Sequence, residues 1–266
     1  MINISKNYPT TISVVIPCFN HRNYIERAVE SVAKQSFTAV EIIVIDDGSS
    51  DGSQEKLAEL QRVYGFQLVC QRNMGICKTL NKAIRELSGG DYIAIVASDD
   101  YWHPEKLQLQ MSELKLHPDS EFCFSQAIEF FDENNVGAGV VFPRKCLSGN
   151  VVNQVFVRQH VPAGTMLFSR ALYDRLGGFD ENLKEEDWDF VIRSAAATSF
   201  VSVNTPLLYY RSHSGNTMKT RSRAAIFHQK AKILAKNFDL VNPWRWLFAI
   251  CLHFTHDIVL RRFRRG

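Results

Sequence analysis

The sequence predicts an α/β protein with a mostly parallel central sheet that is flanked by helices. Short, β-branched apolar segments alternate with segments whose apolar residues recur at helical spacing. The first segment, Thr11 to Pro17, reads TISVVIP and predicts a strand buried on both faces. The next, about Tyr24 to Gln35, predicts a helix with one apolar face. Because parallel neighbours need helical crossovers, this alternation favours a parallel sheet.

The alternation continues to Ala97, and the pattern changes beyond Pro118. Further elements of the first part are predicted as strands at Glu41 to Asp46, Phe66 to Cys70 and Tyr92 to Ala97, and a helix at Ile76 to Leu87. In the second part, strands are predicted at Glu121 to Phe130, Pro162 to Ser169 and Phe200 to Leu208, with a loop at Asp132 to Gly139.

Length, composition and charge limit the classes of protein to consider. The chain has 266 residues, 45% hydrophobic residues and a formal net charge of +3, which predicts one substantial core and no nucleic-acid partner. Met1 to Thr10 lack a positive segment followed by an apolar run, so a cytoplasmic protein is expected. The first strand-to-helix turn has neither G-x-G-x-x-G nor the P-loop spacing, which argues against a dinucleotide oxidoreductase or a P-loop ATPase.

Paired acids follow two predicted strands at their carboxyl ends, where α/β sheets bind ligands. Asp46 and Asp47 follow the second strand, and Asp99 and Asp100 follow the fourth. Adjacent carboxylates in an apolar setting repel each other unless a cation or donors compensate, and their oxygen atoms suit Mg²⁺ or Mn²⁺. Each pair also has an interpretation as a helix cap or a turn. Two pairs on neighbouring strands favour a metal and a diphosphate.

Several segments of the chain together resemble the inverting glycosyltransferases of family 2, which have the A-type nucleotide-sugar fold. They occur in that family's order over roughly residues 11 to 216. The segments are SVVIPCFNHRNYIERAVESVAKQSF, EIIVIDDGSSDGS, QRNMGICKTLNKAI, GDYIAIVASDDYWHPEKL, AGTMLFSR with LGGFDENL, EEDWDFVIR and YYRSHSGNT. The resemblance implies transfer of a hexose or N-acetylhexosamine from a nucleoside-diphosphate sugar, with a UDP-sugar favoured, to a saccharide or lipid-linked saccharide. It also implies inversion, a divalent metal, and a place in the assembly of bacterial-type cell-surface polysaccharide or lipopolysaccharide.

The resemblance assigns the donor side of the site to the first half of the chain. By it, Asp47 holds the uracil or ribose, Asp99 faces the ribose or sugar, and Asp100 binds the Mn²⁺ or Mg²⁺ that bridges the diphosphate. Further donor-binding residues are expected to be Pro17, Phe19, Asn20, Asn73 and Lys78.

One departure concerns Leu80, which precedes Asn81 where many relatives have an arginine. Lys78 and Arg72 are the candidates for the missing positive charge, and each is equally well a solvated surface residue.

The second half supplies the residues expected on the acceptor side. Displacement of a nucleoside diphosphate by an alcohol needs a base near the hydroxyl. The resemblance assigns that role to Asp187 with Glu186 as a supporting acid, whereas the other interpretation is acidic charge at a helix N-terminus. His213 lies in a YRxHxxN pattern and is expected to reach the metal or diphosphate, although a lone histidine is more often structural.

The predicted organisation is a catalytic domain at residues 1–220, with a nucleotide-sugar half at about 11–118 and an acceptor half at about 119–216. A helical, basic tail at 221–266 follows. Within it, Trp244, Leu247 and Phe248 share one helical face, and Arg261, Arg262, Arg264 and Arg265 end the chain. This pattern suits a helix on an anionic membrane, and equally a final helix packed on the domain.

Two other functions compete with sugar transfer. Nucleotidyl transfer onto a sugar phosphate also uses a metal and paired acids, but the sequence has no basic, glycine-rich phosphate loop near its N-terminus. A catalytically idle, nucleotide-binding partner subunit is the third hypothesis, against which the presence of Asp47, Asp100 and Asp187 together argues.

Overall fold

The computed structural model describes residues 10–38, 40–131, 133–183, 186–213 and 222–260. It confirms the α/β class: one nine-stranded sheet has the order β3-β2-β1-β4-β8-β6-β9-β5, with β7 paired to β6. The strands are β1 Ile12–Cys18, β2 Val40–Asp46, β3 Gln67–Cys70, β4 Tyr92–Ile95, β5 Tyr101–Trp102, β6 Ser120–Phe130, β7 Val140–Phe142, β8 Leu167–Ser169 and β9 Ser199–Arg211. The α-helices are α1 Ile25–Ala33, α2 Ser53–Tyr64, α3 Ile76–Lys82, α4 Lys106–Leu116, α5 Val152–Val157, α6 Arg170–Arg175, α7 Glu186–Ala197, α8 Arg223–Lys236 and α9 Pro243–Phe254.

Helices cover both faces of the sheet and bury two hydrophobic cores. On β1, Val15 points into one core while Val14 and Ile16 point into the other, as the two-residue period of a strand requires. Helices α1, α2 and α4 contribute to the core with Val14. The core with Val15 is covered by α3 and by α5 to α9. Strand β1 is therefore buried on both sides, as its mostly apolar sequence predicts.

The first four strands form the predicted parallel part of the sheet. β1 pairs in parallel with β2 and β4, and the register places Cys18 opposite Asp46. β2 pairs in parallel with β3, which places Asp46 opposite Cys70. The carboxyl ends of these strands therefore share one edge, and the polar residues that follow them are brought together there.

The second half of the sheet is mixed rather than parallel. β8 pairs antiparallel with β4 and β6, while β9 pairs in parallel with β6 and antiparallel with β5. β9 is 13 residues long, and its last residue, Arg211, contacts Asp100 in the turn after β4. The third helix has its predicted bounds, but its last part, Ala83–Leu87, is a π-helix. The segment predicted as a loop before β7 contains a 3-10 helix at Glu133–Ala138.

The tail packs on the domain through a partly polar face of α9. Ala249, His253 and Asp257 are buried, the last of them in the π-helix Thr255–Leu260 that continues α9. His253 Nε2 lies 3.0 Å from the carbonyl of Val157, and Lys230 donates to Asp257 at 2.8 Å. No helix in the described ranges is long and apolar enough to cross a bilayer.

The opposite face of α9 is exposed. Trp244 is 80% exposed and Phe248 58% exposed, and Leu247, Leu252 and Phe254 lie beside them at the surface. The sequence places His253 and Asp257 on the polar face of this helix, and the structure buries both. His253 has a hydrogen-bonding partner in the domain, the carbonyl of Val157, and Asp257 has one in α8, Lys230, which makes burial of these polar groups favourable.

Candidate active site

The turn after β4 places two acids at the shared edge of the sheet. Asp100 is 4% exposed, and its Oδ1 accepts a hydrogen bond of 2.8 Å from the backbone N–H of Arg211. Burial, and after it the charge of Asp99, hold the pKa of Asp100 well above its usual range, while Arg211 acts in the opposite direction. The carboxylates of Asp99 and Asp100 repel each other, as the sequence predicts, and a cation bound beside them would reduce this repulsion.

The end of β9 holds this turn in place. Arg211 Nε donates to the carbonyl of Asp99 at 2.9 Å, and the guanidinium pairs with Glu133. The same guanidinium carbon lies 4.8 Å from the centre of the Tyr24 ring and 5.0 Å from that of Phe130. Arg211, the arginine of the YRxHxxN pattern, therefore orders this turn, whereas Asn216, the asparagine of the same pattern, lies outside the described residues.

His213 and Asp99 approach each other beside this turn. His213 Nε2 is 3.0 Å from Asp99 Oδ2, and His21 Nε2 is 3.8 Å from the same oxygen. One ligand atom from each of these three residues lies within 4.8 Å of the others. Desolvation lowers the pKa of His21 and so favours its neutral form. The neutral imidazole is the form that binds metals. Asp100 is not part of this three-residue cluster, although it adjoins Asp99 in the chain.

Residues predicted to bind the donor base surround the end of β1. Asn20 has a positive φ of 56°, and its side-chain oxygen accepts from the N–H of Ser50, which joins the loops after β1 and β2. Phe19 is 47% exposed beside it. An exposed aromatic ring at the carboxyl edge of a parallel sheet can stack on a nucleobase.

Asp47 is buried, and both of its carboxylate oxygens accept hydrogen bonds from the protein. Its Oδ1 accepts from Gln71 Nε2 and the N–H of Met74, each at 2.9 Å, and its Oδ2 accepts from the N–H of Gly75 at 3.0 Å. These bonds fix the loop between β3 and α3. Asn73, in the same loop, is exposed.

Lys78 lies on the exposed side of α3, between the buried residues Cys77 and Thr79. Leu80, in the position of the missing arginine, is instead buried and contacts the cavity described next. Asn81 beside it anchors the turn before α7, since its side chain donates to the carbonyl of Phe179 and accepts from Tyr173 and from the N–H of Phe179.

A cavity of about 470 Å³ opens at this edge of the sheet. Its walls are mostly apolar, and it is large enough for a small ligand. Among the predicted site residues, Pro17, Asp100 and Asp187 contribute to its lining, and Gln159, His160 and Tyr210 add polar groups. The nucleotide-sugar half and the acceptor half of the chain therefore both contribute residues to the lining of this cavity.

Asp187 lies in the first turn of α7, as predicted, and its carboxylate is oriented by two donors. Gln159 Nε2 donates to Oδ2 at 3.1 Å, and the N–H of Trp188 donates to Oδ1 at 2.8 Å. Burial raises the pKa of Asp187, while the hydrogen bonds from Gln159 and Trp188 act in the opposite direction. Trp188 anchors this turn, because its indole N–H donates to the carbonyl of Val155 at 2.7 Å. The side chain of Glu186 lies outside the described residues.

The neighbouring acid Asp189 has a different role. It is fully buried, and its carboxylate binds Arg193, Lys236 and Asn237 at 2.7 to 2.9 Å. This network joins α7 to α8 away from the cavity lining. Of the acids in EEDWD with described side chains, Asp187 is therefore the one that faces the cavity.

Residues 13–177 match the family model described as Glycosyl transferase family 2, which is more than half of the chain. The chain belongs to this family. It is therefore a glycosyltransferase, as the sequence predicts.

Curated relatives extend the match beyond the family model. The glycosyltransferase is 26% identical over 219 residues to an uncharacterized glycosyltransferase of Rickettsia typhi, covering 80% of this chain and 67% of the relative. It is 27% identical over 199 residues to chondroitin synthase of Escherichia coli, covering 73% of this chain and 28% of that protein. The second relative is thus much longer than the shared part.

Solved structures confirm the A-type fold. S. aureus TarS 1-349 in complex with UDP-GlcNAc superposes with a TM-score of 0.73 at 20% identity, covering 93% of this chain and 73% of that one. A mannosyltransferase from Pyrobaculum calidifontis, in complex with GDP-Man and Mn²⁺, has a TM-score of 0.65 at 17% identity, covering 94% of this chain and 71% of that one. At these identities the comparison concerns the fold.

Sequence reasoning missed two polar residues of this candidate site. His21 directly follows Asn20, so the rule that ligands gather after strand ends was sufficient to suggest it. Gln159 lies in a segment without a motif, and only the folded chain shows that it contacts Asp187.

Proposed function

We propose that the protein transfers a sugar from a nucleoside-diphosphate sugar to an acceptor hydroxyl with inversion at the anomeric carbon. The observation that carries this proposal is that Asp100 and Asp187 line the same cavity. One acid belongs to the turn after β4, beside the candidate metal ligands, and the other is a hydrogen-bonded carboxylate on the acceptor half. Such a cavity offers both a place for the diphosphate and a base for the hydroxyl.

The residues present fit a divalent metal, Mn²⁺ or Mg²⁺. The fit is seen in the raised pKa of Asp100 beside Asp99, and in the approach of His213 Nε2 to Asp99 Oδ2. Asp99, Asp100 and His213 are the proposed ligand-bearing residues. When bound, such an ion neutralises charge that develops on the departing diphosphate. The Mn²⁺ found with the fold neighbour from P. calidifontis supports this assignment.

The donor base and ribose are proposed to lie over the loops after β1 and β2. Phe19 supplies an exposed ring, and Asn20 and Pro17 shape the surface around it. Both carboxylate oxygens of Asp47 accept hydrogen bonds from the loop before α3. Asp47 is therefore proposed to hold this loop in place on the donor side of the pocket. The UDP-GlcNAc bound to TarS supports a UDP-sugar as donor.

Asp187 is proposed to act as the base. The acceptor oxygen forms a bond to the anomeric carbon while its proton passes to the Asp187 carboxylate. The bond from that carbon to the diphosphate oxygen breaks, and its electron pair leaves with the nucleoside diphosphate. Attack from the face opposite the leaving group inverts the configuration.

The acceptor is proposed to be a saccharide or a lipid-linked saccharide in the assembly of a surface polysaccharide. The supporting observation is the shared region with chondroitin synthase, a polysaccharide-forming relative by its name. The lining from Gln159 to Gly164 forms the wall next to Asp187 and is the expected place for acceptor contacts.

Replacing Gln159 with Leu is expected to shift the acidic limb of the pH profile for kcat/KM to higher pH. Asp187 must be ionised to accept a proton, so the rate falls as the pH drops through its pKa. The Gln159 amide stabilises the ionised form, and its loss raises that pKa further. Gln154→Leu is a matched control, since Gln154 is exposed on α5, the short helix that precedes Gln159. An unmoved limb in Gln159→Leu would contradict the proposed orientation of the base.

The exposed face of α9 is proposed to bind an anionic membrane surface. Trp244 and Phe248 would enter the headgroup boundary, and the arginines that end the sequence would each add about 1 kcal/mol of attraction. The double variant Trp244→Ala/Phe248→Ala is expected to lose co-sedimentation with phosphatidylserine-containing vesicles, and added salt is expected to weaken binding of the wild type.

The matched control for the membrane experiment is Val63→Ala/Leu116→Ala. Both residues are 72% exposed on other helices, so the control removes comparable apolar surface away from α9. Equal recovery of all three proteins in the soluble fraction, at low salt with vesicles in excess, would contradict the membrane proposal.

A panel of nucleotide sugars, each incubated with Mn²⁺ or Mg²⁺, tests the proposed function. Release of nucleoside diphosphate from one donor, abolished by a chelator, is the expected outcome. Formation of a nucleotide sugar from a nucleoside triphosphate and a sugar phosphate would instead show nucleotidyl transfer. Binding without turnover across the panel would favour an idle subunit.

A further inference from the structure

Three side chains from separate parts of the sequence meet at the edge of the sheet. His21 follows β1, Asp99 follows β4 and His213 follows β9. We propose that His21 is a further protein ligand of the divalent metal, adding a second imidazole to the ligand set of Asp99, Asp100 and His213. This inference rests on the proposed function for the presence of the metal, and it adds a ligand that the family resemblance does not assign.

The distances between the ligand atoms fit a shared ion. Metal–ligand bonds to nitrogen and oxygen are about 2.1 Å long, so two ligands at right angles around one ion lie about 3 Å apart. His213 Nε2 and Asp99 Oδ2 are 3.0 Å apart, and His21 Nε2 and Asp99 Oδ2 are 3.8 Å apart. The second distance is longer than this spacing by less than 1 Å.

The surroundings of His21 orient its ring toward the cluster. His21 Nδ1 lies 2.7 Å from the hydroxyl oxygen of Ser98, and with its proton on Nδ1 the ring donates to that oxygen. Nε2 then presents a lone pair toward Asp99. Histidine ligands of metals are commonly held in this way, by a hydrogen bond from the nitrogen that does not bind the ion. The backbone N–H of His21 donates to Ser53 Oγ at 3.1 Å, which fixes the start of the loop.

The rings around the cluster limit its movement. The His21 and His213 ring centres are 6.0 Å apart, and both pack against Tyr24, at 5.8 and 5.1 Å. Tyr24 in turn lies under the Arg211 guanidinium. The two imidazoles are thus packed around a common aromatic ring.

The chemical types of the proposed metal ligands predict which metal ion the site prefers. Mg²⁺ binds mainly to oxygen ligands and water, whereas imidazole suits transition metals. A second imidazole in the ligand set therefore favours Mn²⁺ over Mg²⁺ at this site. With His213 as the lone imidazole, that preference would be weaker.

Mn²⁺ binding to the full chain, followed by electron paramagnetic resonance with and without UDP, tests the inference without an activity assay. Even loss of an outer partner of a metal ligand costs about 10-fold to 100-fold in affinity, so His21→Asn is expected to weaken Mn²⁺ binding at least about tenfold. The spin-echo modulation from coordinated imidazole nitrogen should fall as well. His117→Asn, at an exposed position after α4, is the matched control and should bind as the wild type does.

His21→Asp provides a second variant that retains a ligand atom. It should bind Mn²⁺ more tightly than His21→Asn and should show a smaller preference for Mn²⁺ over Mg²⁺ than the wild type. Circular dichroism of each variant establishes that it is folded.

The outcomes separate this inference from the proposed function. Unchanged Mn²⁺ affinity and nitrogen modulation in folded His21→Asn, together with weakened binding in His213→Asn, would overturn the role of His21 and leave the metal site standing. Lack of Mn²⁺ binding by the wild type, with and without UDP, would overturn both the role of His21 and the metal part of the proposed function.

Discussion

Asp187→Asn is expected to lower the rate of sugar transfer by about 10²-fold to 10⁴-fold while leaving donor binding in place, because an amide cannot accept the acceptor's proton. The substitution preserves the shape of the side chain and one oxygen that can accept from Trp188 or Gln159. The loss should therefore appear in kcat, with little change in the donor dissociation constant. Isothermal titration with the donor and steady-state rates measure the two quantities.

Asp174→Asn is the control for this prediction. Asp174 is an exposed acid on α6, and the same change of charge there should leave the rate unchanged. Wild-type rates in Asp187→Asn would leave only the interpretation of Asp187 as a charge that stabilises the start of α7.

Removal of the Asp100 carboxylate is expected to have the second large effect. Asp100→Ala should abolish metal-dependent donor turnover, since the ligand set that holds the diphosphate is incomplete. Alanine also removes the acceptor for the N–H of Arg211, so Asp100→Asn is the sharper variant: it retains an oxygen for that bond and loses the charge. Both variants should lose at least about 10²-fold in turnover.

The measurement for Asp100 is nucleoside diphosphate release across a titration of Mn²⁺. Asp119→Asn, an acid at an exposed position before β6, serves as the control. Near-normal turnover in Asp100→Asn at low metal concentration would show that Asp99 and the histidines suffice, and would contradict the predicted role of Asp100.

The parallel half of the fold was predictable because its signals are local. The strand Thr11 to Pro17 is mostly apolar, and the crossover rule then places the next strands beside it. The sheet order beyond β4 was not predictable in this way. β8 and β9 pair with strands distant in the sequence, and their partners are decided by packing that no short pattern encodes.

The site was predictable where residues follow strand ends or match a motif. The rule about carboxyl edges located Asp99 and Asp100, and family resemblance singled out Asp187 and His213. The role of each residue within the site depends on distances between side chains, which the sequence alone does not give. Asp99, rather than Asp100, has its carboxylate beside His213, and Gln159 contacts Asp187 from 28 residues away in the chain.

The tail shows the limit of helical periodicity as a predictor of burial. The pattern separates an apolar face with Trp244 from a polar face with His253 and Asp257. In the structure the polar residues are buried, because Lys230 and the carbonyl of Val157 satisfy them, and the aromatic face is left at the surface. Only the tertiary contacts reveal which face packs on the domain.

The central claim, direct displacement by a hydroxyl that Asp187 activates, is tested most directly by the configuration of the first product. An α-linked donor identified from the panel is incubated with the enzyme, Mn²⁺ and either water or an acceptor, and the anomeric proton is followed by NMR from the first minutes. Direct displacement predicts that the β-anomer forms first, before mutarotation, and that Asp187→Asn forms it at least about 10²-fold more slowly. Initial formation of the α-anomer, or an undiminished rate in Asp187→Asn, would contradict it.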